Sequence, residues 1–445
     1  MKKDGLHPTE SQKLHGARPA FCARSGARVG RQDFAVRRAL RAQLAGPPSP
    51  APLASLYVHV PFCSQRCVYC DYAFTTTGRG PAKAAQGRYV RALGIEAEAV
   101  GRAVRRGGRP LPLETLYVGG GTPSLLALGD MAAVLDAAHR HFDTAGLCET
   151  TVEVNPEDVA GADGLAYLRG LRALGVDRVS VGVQSFYPDD LAWMNRAHSA
   201  DDAASAVENA AATFDRFSVD LIFGLPEQPA EVWAANLERA LRLGAPHVSA
   251  YTLTVEERTP LARRVRDGLV IPEGDDALTE RYLFTHRYLT ERGFEHYEVS
   301  SFARPGQRSR HNDGYWTHRD VVGLGPSAHS FLRETRSRAA RWGNVPAVGR
   351  WQGLLEAGEL PVETRETLGP DALADEIVML GLRRLTDGLV FDVLERDYGL
   401  DLLTDKRTEL AALAAAGLVT VTPERVCLTP EGATVSDAVA LKLVG

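Results

Sequence analysis

The chain has 445 residues, of which 44% are hydrophobic and 24% are charged, and its formal net charge is −5. These values are ordinary for a globular protein and exclude a collagen-like, fibrous or wholly disordered chain. The sequence contains no run of about 18 apolar residues, so it predicts no membrane-spanning helix. Because 51 basic side chains face 56 acidic ones, we expect no general attraction to nucleic acid.

The first fifty residues differ in composition from the rest of the chain. They contain ten basic and three acidic side chains and end in a proline-rich run at 46–50. A segment of this kind buries too little apolar surface to fold, so we predict a basic, disordered extension over 1–50. Contact with an anionic membrane, or an organelle-targeting role, is the alternative interpretation.

From residue 51 the pattern alternates between short apolar runs and longer Ala- and Leu-rich segments. The apolar runs predict buried strands at 56–60, 116–119, 151–154, 178–181, 219–223 and 248–253. The longer segments predict helices at 86–105, 130–141, 163–174, 201–214 and 230–243. Repeated strand–helix units favour a parallel sheet, so we predict an α/β fold built as a partial (β/α)6 barrel over 51–305.

Beyond residue 305 the alternation weakens. We assign 306–365 to a connecting segment. Helices at 371–385 and 405–415, followed by a hairpin over 419–428, predict a winged-helix-like domain over 366–445. That fold also serves for packing and protein contacts, so it does not by itself imply nucleic-acid binding. Ligands of parallel sheets gather at the carboxyl ends of the strands, so we expect functional residues directly after each predicted strand.

Three of the six cysteines follow the first predicted strand in a C-x3-C-x2-C pattern: Cys63, Cys67 and Cys70. Clustered thiols without an apolar secretory leader favour metal ligands in a reducing cytoplasm over disulfides. Three thiolates can hold a [4Fe–4S] cluster and leave one iron without a protein ligand. The alternatives are a zinc site completed by His59 or a distant histidine, and unligated thiols. We expect the other cysteines to be buried or incidental: Cys22, Cys148 and Cys427.

This cysteine loop resembles the signature of the radical S-adenosylmethionine (SAM) superfamily. The resemblance implies that the amine and carboxylate of SAM chelate the open iron. It also implies that the reduced cluster can cleave SAM to methionine and a 5′-deoxyadenosyl radical. The protein would mainly position and shield these groups. The resemblance runs from about residue 55 to the C-terminus and leaves out the first fifty residues.

Glycine and polar residues follow several later strands. Consecutive glycines at 119–121 allow the backbone to approach a ligand closely. Taken alone, each of the polar residues is better explained by a structural role, but their recurrence on successive strand–helix units favours a site. By motif they are similar to the SAM-contacting positions of the coproporphyrinogen III oxidase-like subgroup. The resemblance assigns SAM contacts to Tyr57, Tyr69, Gly120, Gly121, Thr122, Glu153, Gln184, Arg196, Asp220 and Thr252.

The subgroup contains an oxygen-independent oxidase type (HemN-type) and a haem chaperone type (HemW-type). The oxidase type has a further cysteine two residues after the third, whereas Tyr72 occupies that position here. This departure argues against oxidative decarboxylation of coproporphyrinogen III, and whether the chain is an enzyme stays open. We therefore expect a chaperone that binds haem, a [4Fe–4S] cluster and SAM and delivers haem to haemoproteins such as respiratory enzymes. The oxidase and a haem-degrading radical SAM methyltransferase are the alternatives.

The segment from His311 to Trp316 is similar to the H-N-x-x-Y-W stretch of the chaperone type. An imidazole on the iron, with aromatic rings along the macrocycle, would make 306–365 a haem-associated segment through His311, Tyr315 and Trp316. A packing histidine in a domain interface is the other interpretation. The expected partners are haem and haem-accepting proteins, without nucleic acid, while a homodimer and a peripheral membrane contact stay open.

Overall fold

A computed structural model describes residues 53–76 and 83–445. The predicted extension over 1–50, with Cys22, lies outside the described residues. Strands of the described chain are β1 (Ala54–Val60), β2 (Phe62–Cys63), β3 (Thr75–Thr76), β4 (Leu113–Gly120), β5 (Glu149–Val154), β6 (Arg178–Gln184), β7 (Arg216–Phe223), β8 (His247–Thr252), β9 (Glu295–Glu298), β10 (Ser301–Ala303), β11 (Val321–Leu324), β12 (His329–Thr335), β13 (Arg338–Asn344), β14 (Val362–Leu368), β15 (Leu389–Val390), β16 (Val419–Val421) and β17 (Arg425–Leu428).

The helices of the described chain connect these strands. They are α1 (Lys83–Ala103), α2 (Leu128–His141), α3 (Pro156–Val159), α4 (Gly161–Ala173), α5 (Pro188–Trp193), α6 (Ala200–Thr213), α7 (Ala230–Arg242), α8 (Pro260–Arg266), α9 (Asp275–Thr290), α10 (Arg310–Trp316), α11 (Val348–Glu356), α12 (Pro370–Gly381), α13 (Phe391–Tyr398), α14 (Leu402–Asp405), α15 (Arg407–Ala415), α16 (Pro430–Ala433) and α17 (Ser436–Leu443). None of the described helices is both long and apolar enough to cross a membrane.

Twelve of the described strands form one sheet, in the order β14-β13-β12-β11-β1-β4-β5-β6-β7-β8-β10-β9. The strands β1, β4, β5, β6, β7 and β8 are parallel and coincide with the six strands predicted from sequence. The five predicted helices are α1, α2, α4, α6 and α7. The predicted α/β fold is thus confirmed, and the sheet stays open like a partial barrel.

The parallel strands form because β-branched and aliphatic side chains are buried along them. Val179, Val181 and Val183 in β6 are completely buried, as are Leu56 in β1 and Val118 in β4. Burying one such side chain contributes about 1.5–3 kcal/mol. The helices cover the outer face of these strands, as expected for a parallel sheet.

The other face of the parallel strands, here called the inner face, carries polar and aromatic side chains. Because side chains alternate along a strand, Ser55 and Tyr57 of β1 share this face, and Thr115 and Tyr117 of β4 lie beside them in register. The residues described below lie along this face. Its amino end is where the parallel strands begin, and its carboxyl end is where they end.

The structure adds four strands at and after 306–365, where the sequence predicted none. Strand β11 inserts parallel to β1, and β12, β13 and β14 extend the sheet in antiparallel order. Strand β14 is exposed at all but its last residue, so it shows no apolar alternation. Pairing with a strand more than two hundred residues away, rather than local pattern, places β11 in the sheet.

The C-terminal region contains α12 to α17 and a three-stranded antiparallel sheet, β15-β17-β16. The predicted helices and hairpin are confirmed by α12, α15 and the β16–β17 pair. Two backbone hydrogen bonds join this region to the main sheet. The amide of Val299 donates to the carbonyl of Arg383, and the amide of Leu385 donates to the carbonyl of Tyr297, both at 3.0 Å.

Candidate functional site: a cysteine-lined cavity

A cavity of about 290 Å³ opens at the carboxyl ends of the parallel strands, and Cys63, Cys67 and Cys70 line it. Nine of the ten residues predicted to contact SAM line the same cavity: Tyr69, Gly120, Gly121, Thr122, Glu153, Gln184, Arg196, Asp220 and Thr252. The tenth, Tyr57, lies on the inner face of β1, and its hydroxyl is 3.0 Å from Nδ1 of His59. The structure therefore gathers the predicted residues in one place, while their roles as ligands stay predictions.

The cysteine loop is tied to the segment that follows α5. The amide of Val68 donates to the carbonyl of Met194 at 3.2 Å. The side chain of Gln65 donates to the carbonyl of Asn195 at 2.8 Å, and the side-chain amide of Asn195 donates from Nδ2 to the carbonyl of Arg66 at 2.7 Å. These bonds hold the loop in place without using any of the cysteine thiols.

The donor set fits a [4Fe–4S] cluster better than a single metal ion. Within 53–76 and 83–445, no three His, Cys, Asp or Glu side chains are close enough together to hold one ion. A cubane does not need such convergence, because each thiolate binds a different iron. His59, the zinc ligand considered above, donates from Nε2 to the carbonyl of Ala73 at 2.8 Å.

The thiols must lose protons when they bind iron. Burial raises the pKa of Cys63 to about 11 and that of Cys70 to about 12. Both groups are therefore protonated at neutral pH before a cation arrives. Metal binding to cysteine is coupled to release of the thiol proton, so assembly of a cluster here would release protons.

Gly120, the last residue of β4, and Gly121, which follows it, let this strand end against the cysteine loop. Gly120 has a φ of +111°, and a β-carbon there would lie 2.5 Å from Nδ1 of His59. A β-carbon on Gly121 would lie 2.5 Å from the carbonyl oxygen of Phe62. Both distances are too short for a side chain, so only glycine allows this close approach.

Glu153 is held on the inner face beside the glycines. It accepts a hydrogen bond from the Tyr117 hydroxyl at 2.8 Å and another from the Gly120 amide at 2.9 Å. Burial raises the pKa of Glu153 to about 7, although these two hydrogen bonds oppose the shift. The carboxylate keeps lone pairs that can accept hydroxyl groups of a ligand in the cavity.

Two further side chains in the cavity have polar atoms with unused bonding capacity. Arg196 donates to the Cys67 sulfur at 3.3 Å and to the Gly182 carbonyl at 2.9 Å. Its Nε atom and Oδ1 of Asp220 have no hydrogen-bond partner among the described residues. Unpaired buried polar atoms are costly, so these atoms favour a polar ligand in the cavity.

The predicted haem segment forms α10, which closes the amino end of the inner face. Buried Glu149 accepts hydrogen bonds from the backbone amides of Arg310 and His311, both at 3.0 Å. A carboxylate at the first turn of a helix satisfies amides that have no partner inside the helix. Glu149 therefore fixes the start of α10 on β5.

His311 is buried, with only 1% of its surface exposed. Its Nδ1 lies 2.9 Å from the Thr115 hydroxyl, its Nε2 lies 3.0 Å from the Tyr315 hydroxyl, and its ring stacks on Tyr117. Burial lowers the pKa of His311 to about 3. Trp316 instead contacts the guanidinium of Arg383 in the C-terminal region. Both ring nitrogens of His311 thus lie within hydrogen-bond distance of hydroxyl groups, and its contact with haem stays a prediction.

Sequence reasoning missed several residues of the inner face. Asn155 and Tyr251 line the cavity, and Asn155 could have been found because it directly follows the third predicted strand. Tyr251 lies inside a predicted strand, where an aromatic residue indicates only a core position. Glu149 and Thr115 contact His311 from more than 160 residues away, and no local pattern signals such a contact.

Comparison with known proteins agrees with this geometry. The family model described as "Radical SAM superfamily" matches residues 57–240, and "HemN C-terminal domain" matches 368–435. The chain is 38% identical to "Heme chaperone HemW" of Mycobacterium tuberculosis over 399 residues, which cover 89% of this chain and 96% of that protein. It is 33% identical to "Radical S-adenosyl methionine domain-containing protein 1, mitochondrial" of Mus musculus, and the match covers 94% of this chain and 95% of that protein.

Among solved structures, coproporphyrinogen III oxidase (HemN) from Escherichia coli superimposes with a TM-score of 0.73. The two chains are 23% identical, and 94% of each is covered. The fold and the three-cysteine cavity thus define a radical SAM protein. Within this superfamily, the identity to the curated relatives shows that the chain belongs to the HemW-type family.

Proposed function

We propose that this protein is a haem chaperone that binds haem, a [4Fe–4S] cluster and SAM, and that delivers haem to haemoproteins such as respiratory enzymes. One observation carries the proposal: a single cavity gathers three cysteines, while Tyr72 lines it at the position of the oxidase's additional cysteine. The names of the curated relatives support the same function.

Cys63, Cys67 and Cys70 would hold the cluster, which supplies an open iron for SAM and one-electron chemistry. Gly120, Gly121 and Thr122 provide backbone close to the cluster loop, and the amide of Thr122 already donates to the Phe62 carbonyl. Glu153 and Asp220 offer carboxylate oxygens to the hydroxyl and amino groups of SAM. The remaining SAM contacts proposed are Tyr57, Tyr69, Gln184, Arg196 and Thr252.

Haem would contact the α10 segment through His311, Tyr315 and Trp316. Delivery also needs a haem-accepting protein, and we propose the cytoplasm as the place of transfer, without a role for nucleic acid. Contact with a membrane, if the acceptor is membrane-bound, would be peripheral, and a homodimer is compatible with this function. We propose no chemical turnover of coproporphyrinogen III, because the additional cysteine is replaced by Tyr72.

The test is an anaerobic assay of the reconstituted full-length protein with haem and coproporphyrinogen III offered side by side in the presence of SAM. We expect approximately stoichiometric haem binding, transfer of haem to an apo-haemoprotein, and no protoporphyrinogen. Formation of the divinyl product with consumption of SAM would show an oxidase instead. Loss of haem with methyl transfer would show a methyltransferase. Cys67→Ala, assayed in parallel, separates haem binding from the presence of the cluster.

A further inference from the structure

The guanidinium of Arg196 is directed at one of the three cysteines of the loop. Its Nη1 donates to the Cys67 sulfur at 3.3 Å, and its Nη2 donates to Oδ1 of Asn155 at 3.0 Å and to the Gly182 carbonyl at 2.9 Å. Because the guanidinium is planar and rigid, the bonds of Nη2 determine where Nη1 points. The contact with the sulfur therefore depends on groups near the carboxyl ends of β5 and β6.

The orientation of the Asn155 amide follows from its partners. An arginine can only donate, so the atom that faces Arg196 is the oxygen Oδ1. The nitrogen Nδ2 then donates to the Thr122 hydroxyl and to the Glu157 carboxylate, both at 3.2 Å. The backbone amide of Asn155 donates to the Ser124 hydroxyl at 3.1 Å. These bonds fix Asn155 in the orientation in which its oxygen holds Arg196.

Glu157 joins this group of residues to the cysteine loop. Its carboxylate also accepts from the hydroxyl of Ser64, which directly follows Cys63, at 3.3 Å. The buried imidazole of His198 lies 3.4 Å from the other carboxylate oxygen. Burial alone would raise the pKa of Glu157, but the hydrogen bond from His198 and the charge of Arg196 lower it to about 2. An ionised carboxylate therefore supports the Asn155 amide at neutral pH.

A hydrogen bond to a cysteine sulfur changes the properties of a cluster that is bound through this sulfur. Reduction adds one electron and makes the cluster and its thiolates more negative. A donor to the sulfur stabilises the reduced state more than the oxidised state, so it raises the reduction potential. The positive charge of a guanidinium acts in the same direction. A residue that orients such a donor can therefore set the potential without contacting the cluster.

We propose that Asn155 is a positioning residue which, through Arg196, directs a hydrogen bond at the Cys67 sulfur and raises the reduction potential of the [4Fe–4S] cluster. This inference rests on the cluster part of the proposed function. It gives Arg196 a role that does not need SAM, so measurements without SAM separate this role from SAM binding. Asn155 is uncharged, and its replacement by another uncharged side chain changes the orientation of Arg196 without changing the charge of the site.

The experiment is a redox titration of the anaerobically reconstituted full-length protein without SAM. Dithionite and mediator dyes set the potential, and electron paramagnetic resonance measures the reduced cluster. Asn155→Leu should disfavour the reduced cluster about threefold, which lowers the midpoint potential by about 28 mV for a one-electron couple. Arg196→Met removes the donor and its charge together and should disfavour the reduced cluster about tenfold, or about 59 mV.

Asn209→Leu is the matched control. The Asn209 side chain donates to the carbonyls of Val159 and Gly161, both at 2.8 Å. Its substitution removes two hydrogen bonds of an uncharged amide that do not involve Arg196, so the midpoint potential should equal that of wild type. The double variant of Asn155→Leu and Arg196→Met should have the potential of Arg196→Met alone, because Asn155 acts through the guanidinium.

Circular dichroism and iron content verify that each variant folds and carries the cluster, and Arg196→Met provides the test if Asn155→Leu does not fold. A wild-type midpoint potential in Asn155→Leu or Arg196→Met, or the same shift in Asn209→Leu, would overturn the inference and leave the proposed function intact. Additive shifts in the double variant would also overturn it, since Asn155 would then act independently of Arg196. If the wild type takes up no cluster, the inference and the proposed function fall together.

Discussion

Glu149 and His311, at the amino end of the inner face, are more completely bonded than Arg196 and Asp220, at its carboxyl end. At the carboxyl end, Nε of Arg196 and Oδ1 of Asp220 have no hydrogen-bond partner within the described chain. At the amino end, α10 supplies partners for Glu149, and both ring nitrogens of His311 are bonded. Both ends carry residues singled out by sequence motifs, and those at the carboxyl end line the cysteine-lined cavity.

This difference distinguishes buried polar residues that can bind a ligand from buried polar residues that support the fold. Polar groups with unused bonding capacity stand ready for a ligand, whereas fully bonded buried groups stabilise and orient their neighbours. We therefore expect substitutions at the carboxyl end to remove cofactors with little effect on folding. Substitutions at the amino end should lower the free energy of unfolding and leave the cluster in place.

The largest expected effect is loss of the cluster at the carboxyl end. Cys67→Ala should abolish the iron–sulfur absorbance and the bound iron of anaerobically reconstituted protein, because a three-thiolate cluster has no replacement ligand in this loop. Cys63→Ala and Cys70→Ala should behave alike. Iron content and the visible spectrum measure this outcome.

Cys148→Ala provides the matched control for these variants. Its sulfur lies 3.3 Å from the carbonyl oxygen of Glu114, away from the cavity, so iron content should equal that of wild type. Full iron content in any of the three loop variants would remove that cysteine from the proposed ligand set and weaken the contrast between the two ends.

The second prediction concerns pH and Glu153, which lies towards the carboxyl end of the inner face. Burial raises its pKa in the folded protein to about 7, from 4.5. Between these values the folded state binds more protons than the unfolded state. The contribution of Glu153 to stability is therefore most favourable below pH 4.5, and it becomes less favourable by about 3 kcal/mol as the pH rises through 7.

Glu153→Gln should remove this part of the pH dependence in the ligand-free protein. Urea unfolding at several pH values between about 4.5 and 8 measures the slope. Glu98→Gln is the control, because Glu98 is exposed and pairs with Arg102 on the same helix; its slope should match wild type. If the free energy of unfolding depends on pH equally in wild type and in Glu153→Gln, the pKa of Glu153 is not raised by folding. Glu153 would then be a bonded structural carboxylate.

The cavity was largely predictable from sequence because its determinants are local. Strands such as β6 and β7 are rich in Val, Leu, Ile and Phe, and Glu153 of β5 and Asp220 of β7 lie towards the carboxyl ends of their strands. Parallel strands bring these ends together, so the order along the chain was enough to predict which residues meet. The cysteine spacing added the donor chemistry.

The amino end was not predictable in the same way, because its contacts join distant parts of the chain. Strand β11 pairs with β1 although more than 250 residues separate them in sequence, and Thr115 and His311 form a hydrogen bond across a separation of 196 residues. Burial of His311 follows from these contacts and not from the residues around it. The motif singled out His311, but it did not indicate that the imidazole is buried.

Glu149→Gln should destabilise the amino end by about 2 kcal/mol, because a buried carboxylate that accepts two backbone amides is replaced by a group with one acceptor oxygen. The cluster content should stay that of wild type. Denaturant unfolding and iron content together measure this. Glu363→Gln, on the exposed strand β14, controls for charge alone and should change stability by less than about 0.5 kcal/mol. Loss of iron in Glu149→Gln would show that the two ends are coupled.

The smallest expected effect comes from Thr115→Val, which should cost about 1–2 kcal/mol. The Thr115 hydroxyl donates to Ser55, so its oxygen is left to accept from Nδ1 of His311, and that buried nitrogen loses its partner in the variant. Thr115→Ser keeps the hydroxyl and serves as the control, since it removes only the methyl group. If the hydroxyl defines the tautomer, Thr115→Val alone should also change the nuclear magnetic resonance signals of the His311 ring nitrogens. Equal destabilisation by both variants, with unchanged ring signals, would mean that Thr115 contributes packing only, and that the imidazole is oriented by Tyr117 and Tyr315 without it.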